Sequence, residues 1–175
     1  MTSSHAPPAF SLPATLHAQG YALRNETDAD IPFLIQLYGS TREQELAPVP
    51  WSAEQKQAFL VSQFQAQRHH YRTFFSGCAF DVLELRGAPM GRLYLEARAS
   101  QLRIVDIALL PQWRGQGLGT AILEALMAAA QAGGRGVGIM VEKFNPALRL
   151  YRRLAFTAVA DHEVYLEMEW SPGGS

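Results

Sequence analysis

Between Leu109 and Thr120 the chain reads Leu-Leu-Pro-Gln-Trp-Arg-Gly-Gln-Gly-Leu-Gly-Thr, with three glycines at alternating positions and one arginine. An apolar run, Ile104 to Leu110, enters this stretch, and a helix-forming run, Ala121 to Gln131, leaves it. The chain must therefore turn from a strand through glycines straight into a helix. The first N–H groups of a helix have no partner within it, and the helix dipole is positive there, so such a junction binds phosphate oxygens. Glycine supplies unusual dihedrals and lets a ligand come close to the backbone. A phosphate-bearing ligand at residues 114–120 is the first expectation.

The spacing excludes two common phosphate loops. No Gly-Lys-Ser/Thr follows, so this is not a Walker loop. In Gly115-x-Gly117-Leu118-Gly119 the third glycine falls one place early for the dinucleotide fingerprint Gly-x-Gly-x-x-Gly. A glycine-rich turn before an ordinary helix is the plain alternative.

The remaining composition narrows the class. A chain of 175 residues, 48% hydrophobic and 18% charged, is long enough for one domain with a substantial core. The net charge of -1 creates no global field that favours nucleic acid, so no nucleic-acid partner is expected. Charge interrupts the apolar stretches before membrane-spanning length, and Met1 to Phe10 lacks the pattern of a signal peptide, so no membrane is expected. Cys78 is the only cysteine, which excludes an internal disulfide or a cysteine-cluster metal site. These features fit a cytoplasmic protein that needs no metal.

Taken in order, residues 1–18 carry three of the ten prolines and no periodicity, and read as a flexible N-terminal arm. One domain is expected over 19–170, and a disordered tail over 171–175. Tyr21 to Arg24 alternates as a strand. Thr27 and Asp30 suit a capping box, and Ile31, Leu34, Ile35 and Tyr38 form one helix face, with an end near Thr41 or Arg42. Glu43 to Pro50 reads as a loop. Ser52-x-x-Gln55 starts a second helix, running to about Gln67. Three strands follow, Phe80–Leu85, Met90–Glu96 and Gln101–Leu110, as an antiparallel meander that feeds the glycine loop. A helix over 120–131 leads to a strand, Val137–Val141, which should lie parallel to 102–110. Asn145-Pro146 opens another helix, and Phe156–Ala160 and Val164–Glu169 close the chain as strands.

Two motifs carry a family resemblance. Arg114-x-x-Gly117-x-Gly119 resembles the Arg/Gln-x-x-Gly-x-Gly/Ala loop that binds the coenzyme A pyrophosphate in the GNAT superfamily of N-acetyltransferases. Asn145-Pro146-Ala147 through Tyr151-x-x-Leu154-Ala155-Phe156 resembles that family's fourth helix, which carries Tyr-x-x-x-Gly-Phe. Here Ala155 replaces the glycine, whose left-handed conformation an alanine disfavours by about 1 kcal/mol. The order β-α-α-β-β-β-α-β-α-β-β over residues 21–169 is the family's succession. The resemblance implies an α+β fold with a mixed, mostly antiparallel sheet of about seven strands flanked by helices. It also implies an acyl-CoA-dependent N-acyltransferase that moves the acetyl group of acetyl-CoA to a primary amine, either of a small molecule or of a protein. A non-catalytic acyl-CoA sensor on the same fold is the alternative, and a nucleotide-binding protein a third.

With that ligand, backbone groups of Ile107, Ala108 and Leu109 should meet the pantetheine arm as an added strand would. The amides of Arg114, Gly115, Gln116, Gly117, Leu118, Gly119 and Thr120 should meet the pyrophosphate. Arg114's side chain is expected either on phosphate or on an acid, and Asn145 either on pantetheine or as a helix cap. The resemblance makes Tyr151 the proton donor to the departing thiolate, against a plain core tyrosine. The base is open between Asp106, Glu96 and a water chain. The hairpin 90–110 was expected to set Glu96 near Gln101 and Asp106 opposite Gly91, nearer the ligand, with a structural ion pair to Arg92 as Asp106's other reading. Glu43, Glu45, Trp51, Tyr71, Phe74 and Phe75 are candidates for an acceptor pocket, since acids and aromatics suit a cationic amine. His69-His70 reads as surface and Cys78 as core. The chain is expected to act as a monomer or homodimer.

Overall fold

The computed structural model describes residues 10–173. Its strands are β1 (Tyr21–Asn25), β2 (Cys78–Leu85), β3 (Ala88–Ala97), β4 (Gln101–Leu109), β5 (Gly136–Glu142), β6 (Thr157–His162) and β7 (Tyr165–Trp170). The helices are α1 (Ala14–Ala18), α2 (Ile31–Leu46), α3 (Ala53–Phe74), α4 (Leu118–Ala132) and α5 (Leu148–Arg153). The seven strands form one sheet in the order β1-β2-β3-β4-β5-β7-β6, antiparallel throughout except for β4 and β5. The α+β fold and mixed seven-stranded sheet expected from the sequence are therefore present, with α1 added in front.

Alternation along β3 sorts the sheet faces. Leu93 and Leu95 point into the main core with Leu12, Leu16, Leu118, Ile122, Leu126 and Tyr151, on the side of α1 and α4. Arg92 and Tyr94 point to the other face, where α3 lies. The two helices α2 and α3 close a smaller cluster there around Leu34, Tyr38 and Phe64.

The feature that positions the site is a parting of β4 from β5. Across β3, Tyr94 pairs with Asp106 and Leu95 with Ile104, so Val105 is an extra, bulged residue in β4. The parallel pairing with β5 ends at Ile104 and Ile139. Beyond it β4 continues to Leu109 and β5 to Glu142, each still paired on its outer side. The two inner edges form a V whose backbone groups are free of each other. Gly91 holds one side of this arrangement together: a Cβ there would lie 2.5 Å from the Ala108 carbonyl oxygen, so only glycine lets β3 approach β4 at its end.

Several boundaries differ from expectation. Of the arm, residues 1–9 lie outside the described residues, but Ala14–Ala18 is helical and Leu12 and Leu16 are buried in the core. Two leucines four apart sufficed to dock this short helix. Ser171–Gly173 form a turn, and the last two residues lie outside the description. The helix α2 runs through Leu46, placing Glu43 and Glu45 on it. Glutamate is a good helix former, and the prolines constrain only Pro48, Pro50 and the residue before each. The helix α3 continues to Phe74, because Arg68, Tyr71 and Arg72 find partners just after β1, on β4 and on β2 that no local pattern reveals. Its start is as read, with Ser52 and Gln55 exchanging capping hydrogen bonds at 3.1 and 2.9 Å. The helix α5 starts at Leu148, later than Asn145-Pro146 suggests; Asn145 Oδ1 accepts the Ala147 N–H at 2.9 Å and makes a turn before it.

At the end of α5, Ala155 adopts the left-handed conformation of the glycine it replaces, with φ of 69°. The Ala155 N–H donates to Arg152 O and the Phe156 N–H to Tyr151 O, both at 3.0 Å, and the Phe156 ring meets Tyr151 with centroids 5.5 Å apart. These bonds and this contact are those of a Schellman end. Ala155→Gly is expected to stabilise the protein by about 1 kcal/mol, read as a higher urea midpoint at unchanged slope.

The turn before α2 carries a pH-dependent contribution. Arg24 donates to both oxygens of Asp30 at 2.8 and 2.7 Å, and the Thr27 N–H donates to the same carboxylate at 2.8 Å. The Arg24 bonds, partly offset by burial, bring the Asp30 carboxyl down to about 2 from 3.8. A depressed carboxyl stabilises the fold above its unfolded pKa and loses that contribution as pH falls through the folded one. Arg24 is half-exposed, which weakens the pair. Asp30→Asn should cost about 1–2 kcal/mol at neutral pH. Urea titrations should show that difference vanishing between pH 4 and about 2.

Candidate functional site

The glycine loop sits where β4 ends. A 3-10 turn, Pro111–Trp113, redirects the chain, and Gly115 and Gly117 take φ of 71° and 84°. Those are left-handed values that disfavour any side chain, and Gly117 is the N-cap of α4. A Cβ built on Gly115 or Gly117 meets nothing within 4 Å, and one on Gly119 meets only Leu150 Cδ2 at 4.0 Å. The fold thus leaves open space over all three. Among the described residues, the first N–H after Arg114 to reach a backbone carbonyl is that of Ala121, on Gly117 O. The donors from Gly115 to Thr120 remain available beside the V.

Arg114's side chain is paired neither with an acid nor aimed at that space. Its Nε donates to Leu109 O at 2.9 Å and an Nη to Ser40 Oγ at 3.1 Å. On the opposite lip, Arg42 of α2 pairs with Glu142 at 3.3 Å. The end of α2 therefore bonds directly to β5 and, through Arg114, to the end of β4. Ser40, Arg42 and Glu142 were not among the residues expected to matter. Contacts between residues tens of positions apart leave no local signal.

Asp106 projects onto the α3 face. Its Oδ2 accepts from Arg92 at 2.6 Å and from the Tyr71 hydroxyl at 3.0 Å. Arg92 is buried, also donates to Gln67 at 2.9 Å, and stands 4.8 Å over the Tyr94 ring. The ion pair considered from the sequence is therefore present, and it leaves Oδ1 of Asp106 without a hydrogen bond among the described residues. Register corrects one expectation: Leu109, not Asp106, lies opposite Gly91, and Asp106 lies opposite Tyr94. The hairpin turn, which pairs Glu96 with Arg103, shifts the register by two positions, and the bulge at Val105 adds a third.

Glu96 does not join this group. It pairs with Arg103 across the sheet, rather than near Gln101, and its carboxylate accepts from Arg98 at 2.7 Å across the hairpin turn. Two residues beyond Tyr94, it lies about 7 Å further from the V.

Tyr151 is 3% exposed and packs edge-on against Phe156. It is a core tyrosine, yet its hydroxyl has no hydrogen-bond partner among the described residues. Burial first, and the nearby Asp106 charge second, push its phenol well above the ordinary value. Asn145 serves its local turn, as described. Ile107 and Leu109 pack on the main core, and Ala108 lies between them in the free stretch of β4.

Of the pocket candidates, Tyr71 reaches Asp106. Glu45 pairs with Arg42 at 3.0 Å, and exposed Trp51 stacks edge-on with Phe59. His70 packs among Tyr71, Phe74 and Phe75. Among the described residues no group of three or more His, Cys, Asp and Glu could hold a metal ion. Burial, and then the charges of Glu96 and Asp81, push the Cys78 thiol up to about 12, which makes it inert at neutral pH. Sequence reasoning missed Glu26, whose side chain is 1% exposed and accepts from Arg68 at 2.7 Å, from Arg72 and from the Tyr94 hydroxyl.

A family model described as acetyltransferase (GNAT) domain matches residues 69–158. No curated protein matches the sequence. Solved structures of similar fold include the PaiA N-acetyltransferase of Thermoplasma acidophilum in complex with coenzyme A. It is 16% identical at TM-score 0.63, over 86% of this chain and 98% of that one. An acetyltransferase from Thermus thermophilus is 20% identical at TM-score 0.61, over 86% and 96%. The Naa50 protein of Arabidopsis thaliana in complex with the bisubstrate analogue CoA-Ac-MVNAL is 13% identical at TM-score 0.54, over 87% and 99%.

Arg92 and Asp106 test how the site is held. Arg92→Met strands a partly buried carboxylate and should cost about 3 kcal/mol in urea unfolding, whereas adding Asp106→Leu should recover most of that loss.

Proposed function

The chain belongs to the acetyltransferase (GNAT) domain family, and on that premise we propose that it transfers the acetyl group of acetyl-CoA directly to a primary amine of a small molecule or a peptide. The observation that carries the reading is the V between β4 and β5, open at the glycine loop and flanked by Asp106 and Tyr151. The free amides of Gly115 to Thr120 and the open space over the glycines fit a pyrophosphate, which helix starts favour. The unpaired inner edge of β4, Ile107 to Leu109, fits the amides of an extended pantetheine arm. Bound there, acetyl-CoA supplies an activated thioester carbonyl.

The residues of the chain divide the proton work. Asp106 keeps Oδ1 for the acceptor ammonium, because Arg92 and Tyr71 share the other oxygen. It takes one proton and leaves an amine lone pair able to attack the carbonyl carbon. Tyr151, a phenol whose proton burial holds firmly, gives that proton to the sulfur as the carbon–sulfur bond breaks, and the second proton shed by the attacking nitrogen as it becomes an amide returns to the Tyr151 oxygen. No covalent intermediate with the protein is required.

Tyr151→Phe should lower turnover by about 100-fold in a thiol-release assay over a panel of amines, with CoA affinity by calorimetry unchanged. Wild-type turnover in the phenylalanine variant would remove Tyr151 from this role. CoA binding by the wild-type protein with no turnover on any amine would favour a sensor.

A further inference from the structure

A second cleft lies on the far side of the glycine loop from α5, with a volume of about 540 Å³. That is within the range of small-molecule sites, about 300–1,000 Å³. One wall is α1 and the start of β1, which contribute Thr15, Gln19 and Tyr21; the other is the loop and α4, with Trp113, Gln116 and Glu124. The family match covers residues 69–158, so the α1 wall lies outside the matched stretch.

The chemistry of the walls selects the ligand. Among the described residues Glu124 is the only charged side chain lining the cleft, with no Lys, Arg or His beside it. Glu124 is exposed and has no salt-bridge partner among the described residues. Trp113 and Tyr21 are half-buried and offer the aromatic surfaces to which ammonium groups are attracted. A nucleotide or other polyanion would find a carboxylate and no cationic side chain. Gly117 and Leu118, at the positive start of α4, also line the cleft, while Glu124, six residues on and about 9 Å along the helix, makes the far part of that wall negative.

We propose that this cleft binds a small organic amine in its ammonium form, seated on Trp113 and Tyr21 with its charge toward Glu124, as a site separate from the V. Because Gln116 and Gly117 form both its wall and the glycine loop, an occupant contacts the loop from behind.

The test is calorimetric titration of the full chain, loaded with coenzyme A, by phenethylamine and by its neutral isostere 2-phenylethanol. The amine should bind, the alcohol should bind at least about tenfold more weakly, and added salt should weaken the amine. Glu124→Gln should lower amine affinity about tenfold and Glu124→Asp should restore part of it. Glu124 lies on the surface of α4, so folding is checked simply by circular dichroism. Equal binding of amine and alcohol, an isotherm unchanged by Glu124→Gln, or no binding at millimolar amine would overturn the proposal. The readout is binding and not turnover, so it stands or falls independently of acetyl transfer. In the thiol-release assay Glu124→Gln should match the wild type, and a loss there equal to the loss of amine binding would place the amine in the V instead.

Discussion

The fold turns on hydrogen bonds that two neighbouring strands do not make. Backbone N–H and C=O groups inside a protein are nearly always paired, because an unpaired one costs about as much as a lost hydrogen bond. Here β4 and β5 pair for four residues and then part, while β3 and β7 hold their outer edges in place. The extra residue at Val105 is what bends β4 away. The result is a pair of rigid strand edges facing one gap, with a helix start immediately beyond. Each half of a long ligand that is extended at one end and anionic at the other has its receptor built from backbone alone.

Backbone recognition explains why the loop is so poor in side chains. Glycines at 115, 117 and 119 leave their Cβ positions empty, and the fold itself needs glycine only at the two with positive φ. The side chains nearby are used to hold the gap's rim. Arg114 ties the end of β4 to Ser40, and Arg42 ties α2 to the end of β5. These contacts are exposed or half-exposed, of the kind worth at most about 1 kcal/mol each. They set a resting position for α2 over the V without locking it.

What the sequence made legible was whatever had a local cause. The strand–glycine–helix junction and the Ser52–Gln55 cap each depend on a few adjacent residues, and each is found where the pattern puts it; Asn145 instead makes a turn ahead of α5, and Ala155 takes the left-handed conformation that alanine disfavours. The element order followed from these. Helix ends were less legible: α2 outlasts its apolar face, and α3 is held to Phe74 by Glu26 and Asp106, far away in the chain. The register of β3 on β4 could not be read because the hairpin turn sets Glu96 opposite Arg103 rather than Gln101, and one bulged residue, Val105, then shifts every partner beyond it without any mark of a bulge in the sequence. Glu96 lies on the turn side of that bulge and Asp106 beyond it. Glu26 was invisible for a different reason: a glutamate is ordinarily a surface residue, and only the convergence of Arg68, Arg72 and Tyr94 makes its burial tolerable.

Acid and base in the proposed reaction differ by environment more than by residue type. Asp106 is a carboxylate with two strong donors on one oxygen, so its geometry is fixed and the other oxygen is left without a hydrogen bond among the described residues. Tyr151 is a phenol with no hydrogen-bond partner among the described residues, enclosed among Phe156 and the main core. Burial penalises its ionised form, and so does the negative charge of Asp106, so the tyrosine remains a proton carrier wherever the carboxylate remains a proton acceptor. Ionised Asp106 helps keep Tyr151 protonated. Once Asp106 takes the ammonium proton, that restraint on Tyr151 falls away, at the moment a thiolate begins to form. The order of the two proton transfers is then a consequence of electrostatics within one small space, and needs no moving part.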